Sequence, residues 1–184
     1  MKLSYYINLI LELENATKLN EEQSFNIDGF DTAILILDDI QDQSKIRDGK
    51  PCFYIINGVE KAKEEAKILQ QNAFKELNSI CDKRKIGFIG KVRARILLNT
   101  LHSAIKKGQN IDSVLEHSLT IKTSFIQRYD YMIKLFTGGH IKYSFLLGFL
   151  FLKNNPSYKK TVISIGEKIG IIRQIFDDIN DYKK

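Results

Sequence analysis

The sequence predicts an all-α protein, an antiparallel helical bundle forming a single domain over residues 1–184. Three observations carry that expectation. Apolar residues recur at helical spacing through most of the chain. Only two prolines interrupt it, and no run alternates apolar and polar residues as a half-buried strand does. There is also no Asn-Gly turn joining two alternating runs and no low-complexity linker.

The elements follow in order. Leu3, Tyr6, Ile7, Ile10 and Leu13 mark a first amphipathic helix. A polar stretch over 20–28 leads into a nearly continuous apolar helix over 30–40. Residues 45–56 hold Gly49 and Pro51 and read as a loop. Asn57 is the expected cap of a long helix reaching residue 80, rich in Ala, Glu, Lys and Gln. Further helices are expected over 86–106, 113–136, 141–153 and 158–182, with breaks at Gly138-Gly139 and Asn154-Asn155-Pro156.

Bulk properties exclude several classes. The hydrophobic (43%) and charged (27%) fractions are those of a globular protein with a real core. The formal charge of +6 is scattered, as in Lys61, Lys63, Lys67 and Lys75 along one polar helix, which is a solvated face and not a nucleic-acid footprint. Cys52 and Cys81 stand alone without CxxC spacing, the usage of a reducing, cytoplasmic compartment. Asn8 and Glu12 break any secretory leader. The most apolar run, 143–152, falls well short of the roughly 20 residues of a transmembrane helix. His102, His117 and His140 lack metal-ligand spacing and read as structural or surface residues. Tyr129, Tyr131, Phe149 and Phe151 read as packing.

Two acidic clusters stand out, Asp38-Asp39-Ile40-Gln41-Asp42 and Asp177-Asp178-Ile179-Asn180-Asp181. On a helix, i and i+4 lie on one face about 5–6 Å apart, so each cluster crowds its carboxylates. Such groups repel one another and lose solvation unless a cation occupies the site. Hard oxygen donors suit Mg²⁺, and two facing clusters would hold several Mg²⁺ ions with a polyphosphate.

Asp38-Asp39-Ile40-Gln41-Asp42, followed by Arg47 and Gly49-Lys50-Pro51, resembles the first aspartate-rich motif of the trans-isoprenyl diphosphate synthase (polyprenyl synthetase) family. Gln174-Ile175-Phe176-Asp177-Asp178-Ile179-Asn180-Asp181 resembles the second. Between them Gly108-Gln109 with Asp112, and Lys122-Thr123, match two further family motifs in the right order. The resemblance implies a bundle of the isoprenoid synthase type, lacking some terminal helices, with both clusters facing a central cavity. It implies Asp38, Asp42 and Asp177 as direct Mg²⁺ ligands, and Asp39, Asp178 and Asp181 as ligands or their supports. Three Mg²⁺ would bridge these to the diphosphate of an allylic substrate. Arg47 and Lys122 would bind that diphosphate, and Gln109, Thr123 and Gln174 would help to hold substrate or metal-bound water. A homodimer or a heteromeric partner is implied as well.

The residue types also make chemical sense by themselves. Breaking an allylic C–O bond leaves a carbocation and pyrophosphate, and metals with Lys and Arg stabilise the leaving charge. Phe30, Ile34 and Leu37 are expected as apolar walls for the tail, with Ala33 and Ile34 one turn before the first aspartate and Phe30 as a deeper floor.

The departures from the family cluster on one side. Nothing over 1–32 matches the Gly-Gly-Lys-Arg segment that binds isopentenyl diphosphate in the family. The second of two family arginines is Asp48, and the Phe before Gln174 is Arg173. A carboxylate beside a diphosphate replaces attraction with repulsion. Three readings follow: a compact synthase that takes isopentenyl diphosphate as second substrate; a terpene synthase-like or other-acceptor prenyltransferase; or a non-catalytic subunit of a heteromeric synthase.

Overall fold

The computed structural model describes residues 2–116, 123–152 and 156–182, with the side chains of 112–116, 123–125 and 181–182 left aside. Among the described residues eight α-helices form an all-α bundle: α1 Leu3–Leu13, α2 Glu21–Gln41, α3 Phe53–Asn57, α4 Val59–Lys83, α5 Gly87–Glu116, α6 Thr123–Ile133, α7 Gly139–Leu150 and α8 Lys159–Tyr182. A π-helical turn, Lys134–Gly138, joins α6 to α7.

Three boundaries differ from expectation for local reasons. The polar stretch over 20–28 is the first part of α2: Asn20 and Gln23 form a reciprocal capping box. Asn20, Glu21 and Glu22 face solvent while Ile27 is buried. The cap of α4 is Gly58 with positive φ, because Asn57 closes α3 by donating from Nδ2 to Phe53 O at 3.1 Å. The expected loop over 45–56 contains a small antiparallel hairpin, β1 Ile46–Arg47 with β2 Lys50–Pro51. Asp48 and Gly49 both adopt positive φ (51° and 76°), the requirement of a tight hairpin turn.

The main core joins α1, α2, α4, α5 and α7 through residues such as Leu3, Ile7, Phe30, Leu77, Leu98 and Leu147, all essentially inaccessible. α1 and α7 approach closely: a Cβ on Gly148 would lie 2.7 Å from Ile10 Cβ. The orphan N–H groups that begin α1 are met by α2. Asp31 Oδ2 accepts from Leu3 N at 2.7 Å, and Asp28 Oδ1 from Ser4 N at 2.8 Å. His140 of α7 bonds through Nε2 to Asp31 Oδ1 at 2.8 Å, so one buried carboxylate binds three helices.

Both acidic clusters come at the C-terminal ends of long helices, α2 and α8. Among the described residues no helix is long and apolar enough to cross a membrane.

Candidate active site

At the end of α2, Asp38 is half-buried, Asp39 buried and Asp42 exposed at the helix C-cap. The hairpin folds Arg47 back over them. Its Nε donates to Asp39 Oδ1 at 2.7 Å and its Nη2 to Asp38 Oδ2 at 3.3 Å. Gln109 of α5 donates to the other oxygen of Asp38. Burial above all, and then the neighbouring Asp42, push the Asp38 carboxyl up to about 6, against the opposing pull of Arg47.

On α8 the arrangement differs. Asp177 is exposed, with the Arg173 guanidinium 3.7 Å away. Asp178 is held on both oxygens: Gln174 donates from Nε2 to Oδ1 at 2.7 Å, and the Tyr129 hydroxyl donates to Oδ2. Gln174 Oε1 in turn accepts from the Thr137 hydroxyl.

A cavity of about 300 Å³ connects the two clusters. Asp38 and Arg47 border it from one side and Arg173, Gln174 and Asp177 from the other. Ile34, Leu35, Ile105 and Phe136 provide its apolar wall, with Asp31 and His140 deeper in. The fold therefore brings together Asp38, Asp39, Arg47 and Gln109 on one side and Gln174, Asp177 and Asp178 on the other. Lys122 and the side chains of Thr123 and Asp181 lie outside the described residues.

The expected tail walls are partly corrected. Phe30 is 1% exposed and packs edge-on against Phe74 and His102 in the main core, away from the cavity. Ala33 and Leu37 face α4, against Ala62 and Ala66. Only Ile34 of the four lines the cavity. Residues 30, 33 and 37 recur on the α4-facing side of α2, whereas 31, 34, 35 and 38 recur on the cavity side.

Sequence reasoning missed Tyr129, Thr137, Asp31 and His140. Asp31 stands two helical turns before Asp38, the one signal that pointed to it. Tyr129 and Thr137 carry no motif.

The donor set fits Mg²⁺. All candidate ligands are carboxylate oxygens, and the burial that raises the Asp38 carboxyl is a penalty on its charge that a divalent cation would offset. Among the described residues no three such groups converge into a preformed cage.

A family model for polyprenyl synthetase matches residues 4–184. The chain belongs to the polyprenyl synthetase family. This polyprenyl synthetase chain is 33% identical over 147 residues to a geranylgeranyl pyrophosphate synthase of Penicillium canescens, covering 80% of this chain and 40% of the relative. It is 29% identical over 150 residues to a geranylfarnesyl diphosphate synthase of Aeropyrum pernix, covering 80% and 45%. The same fold occurs in a geranylgeranyl pyrophosphate synthetase of Geoglobus acetivorans, with a TM-score of 0.78 at 22% identity over 97% of this chain and 56% of that one. This polyprenyl synthetase chain thus spans less than half the length of those two curated relatives.

Proposed function

We propose that this chain is a prenyltransferase of the isoprenyl diphosphate synthase type, acting on an allylic isoprenoid diphosphate with Mg²⁺. The observation that carries this reading is the single cavity bordered by both Asp38 and Asp177, with Arg47 at one rim and an apolar wall within. The names of the relatives, geranylgeranyl and geranylfarnesyl diphosphate synthases, support the same chemistry.

Asp38, Asp42 and Asp177 are the residues to hold Mg²⁺, with Asp181 as a fourth. Asp38 and Asp177 line the cavity, whereas Asp39 beneath Arg47 and Asp178 between Gln174 and Tyr129 stand behind that lining, so the latter two serve as supports. Mg²⁺ held there, three ions as the resemblance implies, would supply Lewis-acid stabilisation of the departing pyrophosphate. Arg47, aligned by Asp39, adds a guanidinium beside the leaving phosphate. Gln109 fixes the Asp38 carboxylate, while Lys122 and Thr123 are assigned to the diphosphate by their family motif alone. Ile34, Ile105 and Phe136 keep water from the allylic cation.

Isopentenyl diphosphate is the proposed acceptor, and a second copy of the chain the proposed partner. The exposed row Phe88, Val92 and Ile96 on α5 suits such a contact. The buried free cysteines Cys52 and Cys81 fit a reducing cytoplasm.

The test incubates the protein and Mg²⁺ with geranyl, farnesyl or geranylgeranyl diphosphate, with and without labelled isopentenyl diphosphate. Longer labelled diphosphates are the expected result. Pyrophosphate release without elongation would replace the acceptor, and absence of any turnover would overturn the reading.

A further inference from the structure

The close approach of α8 to the π-helical turn reaches the second aspartate cluster through a chain of side chains. Residues 170, 174 and 178 recur at i, i+4 and i+8, so they form one row along α8. Gly170 is where that row meets its neighbour. A Cβ there would lie 2.5 Å from Thr137 O and 2.7 Å from Gly138 Cα, so a glycine at this position is required for the backbones to touch. Gly138 answers from the other side, its Cβ position 3.2 Å from Glu167 O.

The contact falls on the π-helical turn Lys134–Gly138, whose wider winding departs from the α-helical ladder on both sides. Thr137, 1% exposed, is thereby brought against α8 within reach of Gln174, one turn beyond Gly170. Its hydroxyl donates to Gln174 Oε1. An amide has an accepting end and a donating end, so fixing the carbonyl toward Thr137 turns the NH₂ toward Asp178. There Nε2 meets Oδ1 at 2.7 Å, and Tyr129 of α6 closes on Oδ2.

We propose that Thr137 and Tyr129 are positioning residues: Thr137 orients the Gln174 amide, and the two together immobilise Asp178 so that its neighbour Asp177 faces the cavity. This rests on the reading of the cavity as a metal–diphosphate site. Neither residue touches substrate in the proposal. Both act through Asp178, and the backbone contact at Gly170 sets the geometry.

Three variants of the full chain test it: Thr137→Val, nearly the same size without the hydroxyl; Thr137→Ser, which keeps the hydroxyl; and Tyr129→Phe, at a less buried position. The first readout is the crystal structure of each metal-free variant. Thr137→Val is expected to release the Gln174 amide, Tyr129→Phe to free Asp178 Oδ2, and Thr137→Ser to retain the parental arrangement. The second readout is calorimetric binding of Mg²⁺ with inorganic pyrophosphate. Loss of one such hydrogen bond predicts about 3- to 10-fold weaker binding for Thr137→Val and Tyr129→Phe, with Thr137→Ser at the parental value. Unchanged side-chain positions and unchanged binding in both Thr137→Val and Tyr129→Phe would overturn the proposal. Shifted side chains in a protein whose parent binds no Mg²⁺–pyrophosphate would instead remove the metal reading and leave the positioning intact.

Discussion

Arg47 lies with its Nε 2.7 Å from Asp39 Oδ1, and Asp39 is only 4% exposed. The hairpin is thus fastened to α2 by an ion pair whose acidic member is cut off from water. Arg47→Ala leaves that carboxylate without its cation, an effect expected to cost about 1–3 kcal/mol. Arg47→Lys should recover only part of it, since an ammonium cannot span Asp39 and Asp38 together as the guanidinium fork does. Urea unfolding of the three proteins measures both differences.

The second expectation concerns pH. Burial raises the Asp38 carboxyl to about 6 in the folded chain, well above the ordinary carboxylate value of about 4. The folded state therefore holds its proton more tightly than the unfolded state, so Asp38 favours folding most at low pH. Its contribution falls as pH rises from about 4 through about 6. Mg²⁺ must displace that proton, so metal binding should strengthen as pH rises through 6. Asp38→Asn should flatten the stability profile over this window and weaken Mg²⁺–pyrophosphate binding. Thermal unfolding from pH 4 to 8, with and without Mg²⁺, reads both; a parental profile in Asp38→Asn would refute the assignment.

Asp48 separates charge from backbone geometry. Its φ of 51° belongs to the hairpin turn, a conformation that Asp and Asn tolerate and that other side chains adopt at a cost of about 1–2 kcal/mol. Asp48→Asn removes the carboxylate and keeps the turn. It should lower the KM for isopentenyl diphosphate at unchanged stability, whereas Asp48→Arg should lower the KM while reducing stability. A KM unmoved by either substitution would show that the charge at this position does not govern the second substrate.

Asp31 is expected to matter for stability more than its place in an apolar wall suggests. Asp31→Ala strips a hydrogen bond from Leu3 N and another from His140 Nε2, both buried. Each stranded group costs about 1–3 kcal/mol. Hydrogen exchange should show the loss first at the start of α1, ahead of α4 and α5. Uniform loosening of the whole bundle would contradict the idea of a local clasp.

The legibility of this chain follows from the range of the interactions. Helical period and the paired acidic motifs are local patterns, so the bundle and the two acidic clusters were readable from spacing, while the choice of Asp38, Asp42 and Asp177 within them came from the resemblance. The partnership of Gln109 with Asp38 spans 71 positions and was not foreseen; the resemblance marked Gln109 only as a holder of substrate or metal-bound water. Tyr129 looked like packing because its hydroxyl partner, Asp178, lies 49 positions away. Phe30 was misplaced because one residue of rotation on α2 decides between the α4 face and the cavity. Asp48-Gly49 was a readable turn signal, but two-residue strands are too short to leave an alternating pattern.

The placement of the first acidic cluster at the C-terminus of α2 has an electrical consequence. A helix ends with the equivalent of about half a negative charge from its aligned peptide dipoles. α2 aims that end at the cavity and has no basic residue in its last turn to offset it. The backbone therefore adds to the negative potential that the aspartates create. A divalent cation entering here would neutralise that dipole as well as the side chains, making it an electrostatic keystone at the end of α2. Loading the site should accordingly slow hydrogen exchange along the final turn of α2.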